Sequence, residues 1–107
     1  MMKFVLKALY IFSFLLCIFL FGCVTTPQPK SEYVLAKIAI DAAKAVQAAR
    51  YSPGFWHQAE ESYRRAKILY SEREHEQARQ LFENARISAE KAENSARLIR
   101  QKNGDVL

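Results

Sequence analysis

Residues 75–101 read HEQARQLFENARISAEKAENSARLIRQ, and their spacing decides the fold class. Ala78, Phe82, Ala85, Ala89, Ala92, Ala96 and Ile99 fall at alternating steps of four and three, which is one face of an α-helix kept for three heptads. Five of those seven positions are Ala, so a partner backbone can approach closely while each contact buries little area. Leu81 and Leu98 flank the seam, and Glu93 and Arg97 form a favourably oriented i,i+4 pair. Gly104 lies past the expected helix end, in a tail over 102–107 that is expected to fray.

Working outward, the segment 53–71 repeats the pattern with Trp56, Ala59, Tyr63, Ala66 and Tyr70, and Ile68 and Leu69 widen the stripe. Pro53 suits the first position of a helix, with Ser52 before it as a cap. The joint Ser71-Glu72-Arg73-Glu74 has neither Gly nor Pro, which leaves one continuous helix over 53–101 as the alternative. A turn is expected because so long a helix would leave both stripes without an intramolecular partner. Before these lies a helix expected over 32–50, with Ser31 as its N-cap and Leu35, Ile38, Ala42, Ala45 and Ala49 as its inner face. Lys37, Asp41 and Lys44 would then face water as charge pairs. The expected fold is all-α: three antiparallel helices over 31–101 around a thin core, with Trp56, Tyr63, Tyr70 and Phe82 supplying most of the burial.

The beginning of the chain is of another kind. Residues 1–23 read MMKFVLKALYIFSFLLCIFLFGC and hold six of the twelve Phe and Tyr residues and both cysteines, Cys17 and Cys23. Lys3 and Lys7 precede an apolar run over 8–21, interrupted by Ser13. That is the build of a secretory signal peptide, with a permanent transmembrane anchor as the other reading of the same length. Residues 25–30, TTPQPK, read as a short extended tether. Either reading puts the rest of the chain outside the cytoplasmic membrane, where nucleic acid is a poor partner.

Leu20-Phe21-Gly22-Cys23 resembles the lipobox of bacterial lipoproteins, with Phe21 where a small residue is preferred. The resemblance implies cleavage between Gly22 and Cys23, a signal peptide over 1–22, and a diacylglyceryl thioether and further acylation, such as palmitate, on Cys23. Residues 23–30 would then be the lipidated Cys and its tether. By resemblance to the sorting rule of enteric lipoproteins, Val24 implies transfer to the outer membrane, facing the periplasm; inner-membrane anchoring is the alternative. Tyr51-Ser52-Pro53, Ala59-Glu60, Ala66 and the run from Glu76 to Ala85 resemble the bacterial lipoprotein family known as domain of unknown function 4398, over about residues 32–101. That resemblance implies a helical fold and an envelope location, and no activity. The hairpin also resembles a single tetratricopeptide unit, with Ala66, Ala78, Phe82 and Ala85 at the small and aromatic positions and His75 before Glu76. Ser62 stands where that unit has its early Trp, no Pro closes it, and one repeat fits where arrays use three or more.

A chain of 107 residues allows one small domain and no large core around a deep cleft. His57 and Glu61 stand at i,i+4 without a second His within a turn, so a solvated pair is expected and not a metal site. His75 is expected to pack or cap, and Glu72, Glu74 and Glu76 to form a solvated cluster beside Arg73 and Arg79. No catalytic, cofactor-binding or metal-ligating residue is expected. The basic residues Arg64, Arg65, Lys67, Arg79, Arg86 and Arg100 read as a solvated face, or as a weak attraction to anionic envelope surfaces. Loss of Lys3 and Lys7 with the signal would lower the net charge from +5 to +3. The expected function is that of a non-catalytic envelope lipoprotein, a helical protein-interaction module that binds the membrane through its lipid and an envelope protein or a second copy of itself. The alternative is a structural spacer that touches peptidoglycan or an anionic surface.

Overall fold

The computed structural model describes residues 1–20 and 27–104, and among these there is no β-strand. The helices in chain order are α1 (Met2–Leu20), α2 (Lys30–Ala45), α3 (Ala48–Tyr51), α4 (Pro53–Ser71) and α5 (His75–Lys102). The fold is all-α, and α5 is its spine: α4 packs back along it as a hairpin and α2 lies against its other flank.

The Ala seam explains why α5 takes that place. Ala78, Phe82, Ala85, Ala89, Ala92 and Ala96 are all fully buried, and small side chains let two neighbouring helices approach the same ridge. One half of the core joins Ala36, Ala66, Ala78, Phe82 and Ala85. The other joins α2, α3 and the start of α4, through Ile40, Val46, Ala48 and Trp56, to Ala89, Ala92 and Ala96. Trp56 is 8 % exposed and Phe82 is fully enclosed, so two large rings supply bulk that the alanines do not.

The turn between α4 and α5 works without Gly or Pro. Arg73 takes the left-handed conformation at φ 63°. Its amide donates to the Tyr70 carbonyl at 3.2 Å, and that of Glu74 donates to Leu69 at 2.9 Å. Those two bonds are a Schellman ending, in which a left-handed residue lets the next amides satisfy the last free carbonyls of the helix. The separate helices therefore end and begin at Ser71 and His75, and the continuous alternative does not form.

Three expectations are corrected. The single helix over 32–50 is divided, because Val46 ends α2 and Gln47 is left-handed at φ 60°, with a one-turn α3 after it. This redirection buries Ala48 completely, and Tyr51 packs against the core. The three expected antiparallel helices are thus four over this range, and α2 and α5 run parallel, each antiparallel to α4: Glu32 meets Arg79 at one end and Val46 meets Arg100 at the other. Ser31 is not the N-cap, since the helix already begins at Lys30 after Pro29, and the Ser31 hydroxyl donates to the Glu32 carboxylate at 3.0 Å.

The third correction concerns which side of α2 faces inward. Ala36, Ala39, Ile40, Ala43 and Val46 are buried, whereas Leu35 and Ile38 are more than half exposed. Both sets obey helical spacing. The buried one wins because its largest member, Ile40, reaches the core cluster that also holds Trp56, while the alanines let α2 lie close on α5.

None of the residues of α1 is buried, and α1 makes no contact with the other helices. By length and composition it can cross a membrane, as signal sequences and membrane anchors do.

Candidate functional site

The expected lipidation and cleavage residues, Cys23 and Gly22, lie outside the described residues. What is described is the place where the tether enters the domain, and it is built rather than loose. Pro29 is fully enclosed. The Arg79 guanidinium donates through Nη2 to the Pro27 carbonyl at 3.2 Å, pairs through Nε with Glu32 at 3.5 Å and through Nη1 with Glu76 at 3.2 Å. One arginine of α5 therefore holds both the last tether residues and the first turn of α2. Pro27 and Pro29, within the expected tether, are thus packed on the domain, and Arg79 is engaged there and not part of a solvated face. The Glu32 carboxyl is held below its ordinary range, first by its own backbone amide, then by the Ser31 hydroxyl, with the Arg79 charge adding to them.

Arg100 does the corresponding work at the other end. Its Nη1 donates to the carbonyl of Val46 at 3.2 Å, a group that the end of α2 would otherwise leave without a helical partner. Its guanidinium also stands over the Tyr51 ring at 5.5 Å. Arg79 and Arg100 thus bracket α2 on α5. Of the expected charge pairs, Arg97 with Glu93 is present at 2.9 Å, whereas Asp41 makes no ion pair with Lys37 or Lys44; Arg86 pairs with Glu90 at 3.0 Å and Arg64 with Glu61.

Along the seam between α2 and α4 runs an aromatic cluster. The Tyr33 ring is 4.8 Å from Phe82, 5.6 Å from Tyr70 and 5.9 Å from Tyr63. Burial, and then a hydrogen bond with Tyr33, push the Tyr63 hydroxyl up to about 12. His75 meets the edge of Tyr70 at 6.0 Å, with its Nδ1 buried and without a hydrogen-bond partner, so its role is packing. Tyr33 was absent from the expected core. Its spacing to Ala36, Ile40 and Ala43 (three, four, three) is the signal that would have found it.

Because α2 rests on α5 and only brushes α4, the seam is open at the surface. One hollow, of about 440 Å³, is lined by Ile40, Lys44, His57, Glu60, Glu61, Tyr63, Arg64 and Lys67. Another, of about 460 Å³, is lined by Lys30, Tyr33, Val34, Lys67 and Tyr70. Lys67 borders both, with its amine 4.7 Å from the Tyr63 ring centre. His57 and Glu61 share the first hollow, where Arg64 holds the Glu61 carboxyl low by hydrogen bond and charge. Among the described residues no three His, Cys, Asp or Glu side chains gather as a metal site. The second hollow offers two amines and two phenol rings beside an aliphatic surface. That chemistry suits an anion with an apolar neighbour.

The chain belongs to the family described as Domain of unknown function (DUF4398), which matches residues 31–104. That span covers α2 through α5 and leaves α1 outside. No curated protein and no solved structure matches the chain.

Proposed function

We propose that this member of the family is a non-catalytic envelope lipoprotein, anchored to the outer membrane through lipid on Cys23, whose helical domain is an interaction module in the periplasm. The observation that supports this most is the division of the chain. An apolar helix with nothing packed on it is followed, within ten residues, by a domain that closes its own core. The hollows of that domain are open surface features, lined by charged side chains and tyrosines that can bind a partner. The partner is an envelope protein or a second copy.

The test has two parts. Metabolic labelling with an alkyne fatty acid should mark the full chain and be lost in Cys23→Ala, with the label in outer-membrane fractions. Labelling that persists in that variant would contradict the anchor. Photocrosslinkers at the exposed α5 positions Gln80, Glu90 and Arg97 should then give a discrete protein adduct. Gln80 is preferred to Arg79, which is engaged with Glu32 and Pro27. Retention by purified cell wall without any protein adduct would favour the spacer reading instead.

A further inference from the structure

Helix α2 has a second apolar face. Val34, Leu35 and Ile38 stand more than half exposed on the side away from α5, and the row continues as Ala42 and Ala45. A helix that is apolar on two sides has two partners or sits at a boundary between phases. The large members of the row are all in the first half of α2, at the end that the tether enters, beside the hollow lined by Lys30, Tyr33, Val34, Lys67 and Tyr70.

We propose that this face lies on the bilayer to which the chain is tethered, with Val34, Leu35 and Ile38 entering the boundary between headgroups and acyl chains and Lys30, Lys37 and Lys67 meeting the phosphates of anionic phospholipids. The inference rests on the membrane tethering of the preceding section, whether by lipid on Cys23 or by α1 itself.

Reach is the first argument. Arg79 pins Pro27 and the fold encloses Pro29, so the domain already begins at residue 27. Three residues separate Cys23 from Pro27 and six separate Leu20 from it. Fully extended, those links span at most about 14 Å and 25 Å. Those links keep the start of α2 within that distance of the membrane anchor. Charge is the second. Lys30, Lys37 and Lys44 recur every seven residues along one border of the aliphatic row, where Asp41 is the one carboxylate among three amines, while Glu32 is turned to Arg79. An aliphatic strip bordered by lysines is the pattern of a helix lying in the interface.

Area is the third argument, and it sets the bilayer above a second copy. Three half-exposed aliphatic side chains present on the order of 300 Å², against the roughly 800 Å² per partner of a stable complex. A face that small holds only when the tether makes the encounter intramolecular, and the short link does that.

The experiment uses the full chain with Cys17→Ser and Cys23→Ser, inserted through α1 into vesicles of phosphatidylethanolamine and phosphatidylglycerol. An environment-sensitive fluorophore is placed at Ile38→Cys, or at Asn94→Cys on the exposed side of α5. The inference expects blue-shifted emission at position 38 and at least twofold stronger quenching by spin-labelled lipids than at 94. It also expects this contrast to weaken in Lys30→Glu/Lys67→Glu and in phosphatidylcholine vesicles. Equal quenching at both positions in every composition would overturn it. So would energy transfer between labels at 38 without lipid quenching, which would give the face to a second copy. Because α1 is the anchor here, failure of lipid labelling at Cys23 sinks the lipoprotein reading alone, and failure of quenching sinks this one alone.

Discussion

Helices α2 and α5 are both rich in alanine and both keep steps of three and four, yet only α5 shows in its sequence which side goes inward. The apolar residues of α5 form a continuous row only on one seam; Ile87 and Leu98 stand singly and exposed on the other sides, among Glu, Arg, Lys, Asn and Gln. Only one side of that helix could go inward. On α2 the sets 36, 39, 40, 43, 46 and 34, 35, 38, 42, 45 are both apolar, and periodicity alone does not rank them. Total apolar size favours the outer set, which is the one that stays exposed. The inner set wins by small size, because a helix can sit close on an alanine seam only with alanines of its own.

The largest effect that would break this comparison belongs to α5. Phe82→Ala empties the ring at the centre of the aromatic cluster and should cost about 3–5 kcal/mol in a urea melt of the full chain in detergent micelles. A loss below about 1 kcal/mol would show that the seam is not the core. Next comes overpacking. Ala89→Leu, at a fully buried seam position, should cost about 1–3 kcal/mol, because α2 and α4 cannot both stay as close. An unchanged midpoint would mean that the close approach is not required.

A smaller effect depends on pH. The Tyr63 hydroxyl is raised to about 12, whereas an unfolded tyrosine ionises near 10. Since the raised group keeps its proton in the folded state, its contribution is fully present below pH 10 and is lost as pH rises towards 12. Alkaline melts should therefore fall over that window, and Tyr63→Phe should flatten the fall. A slope identical in both proteins would contradict the burial of Tyr63. Smallest of all are the two left-handed side chains. Gln47→Gly and Arg73→Gly should each change stability by less than about 1 kcal/mol, in the stabilising direction where relief of strain exceeds the added chain entropy. A loss above 2 kcal/mol at either would show that the side chain itself holds the turn.

The same contrast tells how much the sequence could disclose. Helical class, the hairpin, the α5 seam and the burial of Trp56 follow from spacing and from Pro53, features that any single stretch carries within itself. The break at Gln47 and the Schellman ending at Arg73 carry no Gly, so their left-handed residues left no mark in composition. Arg79 and Arg100 read as surface charges because their partners, Pro27 and Val46, are 52 and 54 residues away. Tyr33 was readable, since it extends the inner row of α2 by one step, but only once that row had been chosen.

Two isoleucines of α2, two residues apart, put the central claim to its most direct test. Ile40 is 5 % exposed and Ile38 is 57 % exposed. In the full chain in micelles, Ile40→Ala should lower stability by about 2–5 kcal/mol, and Ile38→Ala should stay within about 0.5 kcal/mol of the parent. Equal losses, or the larger loss at Ile38, would contradict the account and turn α2 over on its axis.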